Sequence, residues 1–267
     1  MASSAPVPGD SSIDLARSGR TAIVSIGRPP VNALTVATYR EIAGVFRDLS
    51  KDESVSVIVL RSALPTVFSA GADIKDLELH LADADSLYDI DRQAAARDLF
   101  DAIRLSAIPV IACVGGIALG AGAVMVACCD FRVFSSSAKL GLTEINVGRC
   151  GGARHLSRIL PQGVVRRMFF TGIPLDAAEA WRLGAVEELT EAGGELDRAL
   201  ELAELIASKS AYALRLGKEA LDGAEGLGIS EGYALEQGYT VRLGQSNDAR
   251  EAAAAFREKR SPVWTGR

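Results

Sequence analysis

The chain has 267 residues, of which 48% are hydrophobic and 24% charged, the balance of a folded globular protein and not of a disordered one. Its formal net charge of −5 argues against a nucleic-acid binder, which concentrates Lys and Arg, yet leaves room for a phosphate held by a few local groups. Two histidines, His80 and His155, and four cysteines, Cys113, Cys128, Cys129 and Cys150, in no Cys-x-x-Cys spacing exclude a multi-histidine site within one chain, and no metal is expected.

Residues 1–12, MASSAPVPGDSS, lack a basic segment followed by an apolar run. They read as a flexible tail and not as a secretory signal. No stretch reaches the ~18 apolar residues of a membrane span, so no membrane and a cytoplasmic location are expected.

Residues 20–26, RTAIVSI, predict a strand, and Pro29 and Pro30 turn the chain into a loop. Tyr39, Ile42, Val45, Phe46 and Leu49 fall on one stripe of a helix over 36–49. VSVIVL, 55–60, predicts a second strand covered on both faces. Phe68 ends a further strand, and Gly71 allows a tight turn before a short helix. Residues 74–90 read as a mobile or irregular lid, and 91–105 as a helix that Pro109 stops. A strand at 110–114, a helix from near Gly120 to about Cys129 and a strand at 131–135 follow. Strand–helix–strand units in series predict a parallel sheet with crossover helices. Residues 139–152 form a glycine-rich loop around Glu144. Helices are then expected at 153–160, 162–171 and 176–183, and an extended arm at 185–189. From 193 onward the pattern is helical throughout: 193–209, 211–222, 228–245 and 248–259. That switch divides a core, 13–192, from a C-terminal helical region, 193–267.

Two segments combine a strand end, a glycine and the start of a helix: Ala70, Gly71, Ala72 and Asp73, and Gly120, Ala121 and Gly122. The first N–H groups of a helix have no backbone acceptor and favour negative charge. Two of them converging on one carbonyl oxygen stabilise an enolate or a tetrahedral intermediate. The plainer reading is close packing of helix on strand. Neither segment reproduces GxGxxG or GxxxxGK[ST]. Glu144, in the charge-poor run LGLTEINVG, is either a carboxyl tuned by burial to carry a proton or a capping or salt-bridging glutamate.

Taken together, these segments resemble the crotonase superfamily, the enoyl-CoA hydratase/isomerase family, from about Gly19 to Gly266. FSAGADIKDL resembles the family's first oxyanion-hole segment, which implies an N–H from Ala70. PVIACVGGIALGAGAVMVACCD resembles the second, which implies an N–H from Ala121, where the family usually has glycine. LGLTEINVG matches the family's second catalytic glutamate at Glu144, and AFREKRSPVWTG resembles the closing helix and tail. The resemblance implies an α/β fold: a crotonase-like repeated ββα spiral core with a C-terminal helical trimerisation region. It further implies an acyl-CoA thioester as substrate and no cofactor beyond the coenzyme A that the substrate carries. The assembly implied is a homotrimer or a dimer of trimers.

One departure bears on the reaction. Family hydratases usually carry a first glutamate where this chain has Val124, and dienoyl-CoA isomerases an aspartate where it has Gly152. Double-bond isomerases of the family work with a single glutamate at the Glu144 position, so the resemblance favours isomerisation over hydration. A hydratase with an atypical water site, a decarboxylase, a thioester hydrolase and a catalytically inactive acyl-CoA-binding protein remain as alternatives.

Weaker candidates surround this centre. The resemblance places the coenzyme A adenine near Ala72, Asp73 and Ile74, although Asp73 is equally suited to capping a turn. Arg28 would approach the cofactor's phosphates, as would Lys259 and Arg260 from the last helix, in this or a neighbouring subunit. Each of these cations is as well explained by solvent exposure. His80 and Tyr88 lie in the expected lid, His155 and Cys150 beside the Glu144 loop.

Overall fold

The computed structural model describes residues 11–81 and 87–266. In chain order it opens with β1 (Ile13–Ser18), β2 (Thr21–Ile26), the short β3 (Ala33–Leu34) and α1 (Val36–Lys51). Then β4 (Val57–Ser62), β5 (Val67–Ser69) and β6 (Gly71–Ala72) lead into α2 (Ile74–Leu81) and α3 (Tyr88–Arg104). β7 (Val110–Val114) and β8 (Ile117–Leu119) lead into α4 (Ala121–Cys128). β9 (Phe131–Ser135) and β10 (Lys139–Gly141) lead into a 3-10 turn, Glu144–Val147, and α5 (Ala153–Leu156). α6 (Gln162–Thr171), β11 (Leu175–Asp176), α7 (Ala177–Arg182) and β12 (Glu188–Thr190) close the mixed part of the chain. The remainder is helical: α8 (Glu195–Ala207), α9 (Ala211–Ala224), α10 (Ile229–Gly244) and α11 (Asn247–Glu258).

The repeat is a ββα unit whose first strand enters one sheet and whose second enters another. The large sheet runs β1-β2-β4-β7-β9-β12, the smaller one β11-β10-β8-β5, and β3 pairs with β6. Only β1 in the large sheet is antiparallel to its neighbour. This is the α/β architecture expected from the alternating pattern. Strand β4 shows why its sequence is continuously apolar. Ile58 and Leu60 join the main core, while Val57 and Val59 face a second cluster with Ile111, Cys113 and Val133. Ala199 and Ala203 of α8 complete that second cluster, so α8 seals the far face of the large sheet.

Six strands were not anticipated: β1, β8, β10 and the two-residue β3, β6 and β11. β1 is exposed along nearly all its length, so its residues carry no apolar alternation to betray it. β8 and β10 are three-residue strands in segments read as loop, and their pairing with each other is decided by distant chain. The stretch read as an irregular lid contains the regular helix α2, and α3 begins three residues earlier than expected. The expected helix over 153–160 is α-helical only over Ala153–Leu156.

α9 is pinned to the core by Arg215, which donates to the Ser50 and Asp52 carbonyls, and by the buried Lys218. α10 and α11 expose large apolar side chains, with Ile229 94% and Phe256 86% accessible. None of the described helices is long and apolar enough to cross a membrane. No group of three metal-ligating side chains occurs among the described residues.

Candidate active site

The ends of β5, β6, β8 and β10 meet at a cavity of about 470 Å³, lined by Gly71, Ala72, Gly120, Ala121, Val124 and Glu144 among others. Two glycines bring its walls together. Gly71 has φ +92°, and a β-carbon there would lie 2.9 Å from the Leu119 carbonyl and 3.3 Å from the Ala121 nitrogen. Gly120 has φ +53°, and a β-carbon there would lie 3.1 Å from Glu144 Oε1. The two glycine segments singled out in the sequence and Glu144 are thus packed within van der Waals reach of one another.

Helix α4 starts at Ala121 with Gly120 at its cap and no capping side chain. The Val124 N–H donates to the Gly120 carbonyl at 3.0 Å. The three amides before it, beginning with Ala121, therefore have no acceptor within the helix. Ala70 requires a correction. Its N–H donates to the Val31 carbonyl at 3.0 Å, so it is engaged within the fold and does not provide a free amide. The Gly71 N–H donates to Ser69 Oγ at 3.1 Å, and the Asp73 N–H to the Leu34 carbonyl at 3.0 Å. Neighbouring amides of extended chain point to opposite sides. With the Asp73 amide directed at β3, the Ala72 amide is directed away from it.

Glu144 opens the 3-10 turn. Its Oε2 is buried without a hydrogen-bond partner, an exception among buried polar atoms that calls for a reason. Burial raises its pKa above the ordinary carboxylate value, opposed by the N–H groups of Glu144 itself and Thr143. Across the cavity Val124 is buried, and a β-carbon on Gly152 would lie 2.7 Å from its Cγ2 and 2.9 Å from Leu142 Cδ2. No second carboxylate lines the cavity among the described residues.

Of the remaining candidates, Arg28 and Asp73 find each other. Arg28 Nη1 lies 2.9 Å from Asp73 Oδ2 and 2.8 Å from the Ala33 carbonyl. Asp73 Oδ1 accepts from the N–H groups of Lys75 and Asp76, the capping role weighed above. Burial opposes its ionisation, yet these amides and Arg28 hold its pKa below the usual value. Ile74 is exposed on the cavity wall. Lys259 ends α11, exposed and at φ +55°, and is not among the residues lining the cavity. The Arg260 side chain is held by Glu251 and Glu258. Cys150 is exposed and lines the cavity, whereas the His155 ring packs on Phe100 with centroids 5.4 Å apart. Tyr88 donates to Asp76. The His80 side chain lies outside the described residues.

Sequence reasoning missed a charged group in the same cavity. Arg92 on α3 is buried, with Nε and Nη2 on Asp89 Oδ1 at 3.0 and 2.6 Å. Arg149 Nη1 takes the other oxygen, Asp89 Oδ2, at 3.0 Å. Tyr39 lines the same cavity, and burial pushes its hydroxyl up to about 12 against the opposing charge of Arg92. A signal existed: Arg92 continues the stripe of Ala95, Ala96, Leu99 and Ile103 that α3 buries.

Comparison with known proteins agrees with this architecture. The sequence model described as Enoyl-CoA hydratase/isomerase matches residues 17–267. The short-chain-enoyl-CoA hydratase of Clostridium acetobutylicum is 31% identical over 250 residues, covering 92% of this chain and 94% of that protein. A Mycobacterium tuberculosis protein named (7aS)-7a-methyl-1,5-dioxo-2,3,5,6,7,7a-hexahydro-1H-indene-carboxyl-CoA hydrolase is 35% identical over 199 residues, covering 74% of this chain and 79% of that protein. The crystal structure of an enoyl-CoA hydratase from Bacillus anthracis superposes with a TM-score of 0.90 at 29% identity, over 96% of this chain and 100% of that one. The chain belongs to the enoyl-CoA hydratase/isomerase family, the crotonase superfamily. It is an enzyme of that type, acting on acyl-CoA thioesters.

Proposed function

We propose that this enzyme isomerises the double bond of an unsaturated acyl-CoA, with Glu144 as the sole proton carrier. The amides of Ala72 and Ala121 hold the thioester oxygen. In a 3-enoyl thioester, Glu144 takes the C2 proton and the electron pair moves onto the oxygen as an enolate. The pair then returns through C2–C3 while Glu144 delivers the proton to C4, so atoms and charge balance. Amides pre-set at the enolate oxygen lower its energy without reorganising during the step.

The observation that carries this reading is the buried, unpartnered Oε2 of Glu144 in a cavity whose position 124 is valine. A water-adding mechanism with two carboxylates lacks its second group there. Ile74 on the cavity wall meets the coenzyme A moiety, and Arg28, held by Asp73, reaches its phosphates from beyond the lining residues. Lys259 reaches it only from a neighbouring copy. The exposed apolar residues of α10 and α11 support a homotrimer or a dimer of trimers, because such faces are buried by association. Three buried free thiols fit a reducing cytoplasmic setting.

The test supplies 3-enoyl-CoA and 2-enoyl-CoA in deuterated water. Deuterium incorporation and interconversion of the two, lost in Glu144→Gln, are expected. Hydrated product at a catalytic rate, retained in Glu144→Gln, sinks the proposal. Release of free coenzyme A or of carbon dioxide would instead mark a hydrolase or a decarboxylase. The hydrolase name of one relative makes the first of these worth measuring.

A further inference from the structure

We propose that the acyl group this enzyme accepts ends in a carboxylate, held by Arg92 and Arg149. The inference rests on the acyl-CoA reading and adds the substrate class. Both arginines line the cavity, whereas Asp89, which binds them both, does not. Asp89 thus bonds both guanidinium groups without itself lining the cavity. One negative charge shared by two positive ones leaves the cluster with an excess of one positive charge, facing the space where the acyl chain goes.

A plain hydrocarbon chain gives this arrangement nothing. The Arg92 side chain is 10% exposed, so its charge has lost most of its water and is only half neutralised by a shared partner. The Arg149 side chain makes one hydrogen bond, through Nη1, and none through Nε or Nη2 among the described residues. A second carboxylate supplied by the substrate completes the neutralisation, and its two planar oxygens match the guanidinium fork. Tyr39 adds a further polar side chain to the same cavity. Glu144 does not serve as that partner, because its Oε2 has none and neither guanidinium bonds its carboxyl group. The cavity thus has a proton-carrying carboxyl in one place and an under-neutralised cationic pair in another. Apolar Ala96, Phe100 and Val124 supply the wall for the carbon chain.

Binding of saturated thioesters, which undergo no isomerisation, tests this apart from the chemistry. Glutaryl-CoA is compared with pentanoyl-CoA, and adipyl-CoA with hexanoyl-CoA, by titration calorimetry on the full chain. At least one diacid is expected to bind ~10-fold more tightly than its chain-matched partner, as a charge-assisted hydrogen-bonded pair provides. Arg149→Met is expected to bring that ratio within about threefold. Equal binding in both pairs, or a preference that survives Arg149→Met in folded protein, overturns the inference and leaves the cluster as a strut between α3 and the Glu144 loop. If the variant does not fold, the wild-type ratio alone decides. Should no thioester bind more tightly than free coenzyme A, the acyl site itself fails, and the inference with it. Binding without carboxylate preference sinks the inference alone.

Discussion

Val124 and Gly152 fill each other's space: a β-carbon on Gly152, at φ +75°, would fall 2.7 Å from Val124 Cγ2. The two positions at which the family resemblance would place a second acid are therefore closed against one another, and Val124 presents hydrocarbon to the cavity. Val124→Glu should put a second carboxylate back into the cavity. The share of hydrated over isomerised product is expected to rise about tenfold, as a second acid–base group contributes. Burying that carboxylate should lower stability by ~2 kcal/mol, read from the urea midpoint. An unchanged product ratio in folded protein would show that the missing acid is not what sets the reaction.

Glu144 sets the pH dependence. The ionised form is the base that starts the reaction, and burial holds its pKa above the usual value. The acid limb of kcat/KM should therefore lie above the ~4.3 of an ordinary glutamate, with activity rising as pH rises through it. Glu144→Gln should cost ~100- to 10,000-fold in kcat and abolish that limb. The same shift has a stability counterpart. A carboxyl whose folded pKa is raised destabilises the fold fully above that pKa and not at all below its unfolded value. Glu144→Gln should thus raise the melting temperature at pH 8 and leave it unchanged near pH 3.5.

Ala121 offers a way to delete a backbone donor. It is the first residue of α4, the position at which proline is best tolerated because its missing N–H has no helical acceptor. Ala121→Pro should keep the fold, checked by circular dichroism, and lower kcat ~100- to 1,000-fold. A folded variant with wild-type kcat would remove Ala121 from the mechanism.

Lys218 joins the C-terminal helices to the core. Its Nζ lies 2.8 Å from Asp130 Oδ1, 3.1 Å from Asp222 Oδ2 and 3.0 Å from the Arg104 carbonyl, and the side chain is 5% exposed. Asp130 in turn accepts from the Val110 N–H at the start of β7. Lys218→Ala leaves two partly buried carboxylates without their cation and should cost ~3 kcal/mol in the denaturant midpoint. A change under ~0.5 kcal/mol would mean that water replaces the amine without penalty.

The order of elements was legible because local patterns encode them. The stripe of α1, the doubly apolar β4 and β7 and the breaks at proline and glycine each act over a few residues. Glu144 also announced itself, as a carboxylate in a run with little else charged. What the chain order could not convey was which amides stay free. The Ala70 amide looks available in the sequence and is taken by Val31, thirty-nine positions earlier, through a contact that exists only after folding.

By itself, then, the amino-acid order determined the α/β class, the two glycine-bearing turns and the acid that follows them, since backbone freedom and hydrophobic period are local properties. Only the tertiary structure decided that Gly120 lies against Glu144, that Val124 meets Gly152, and that Arg92 and Arg149 line one cavity while sharing Asp89. Those are contacts between segments far apart in the chain. Their geometry comes from how strands and helices pack, and a one-dimensional pattern carries no distance between them.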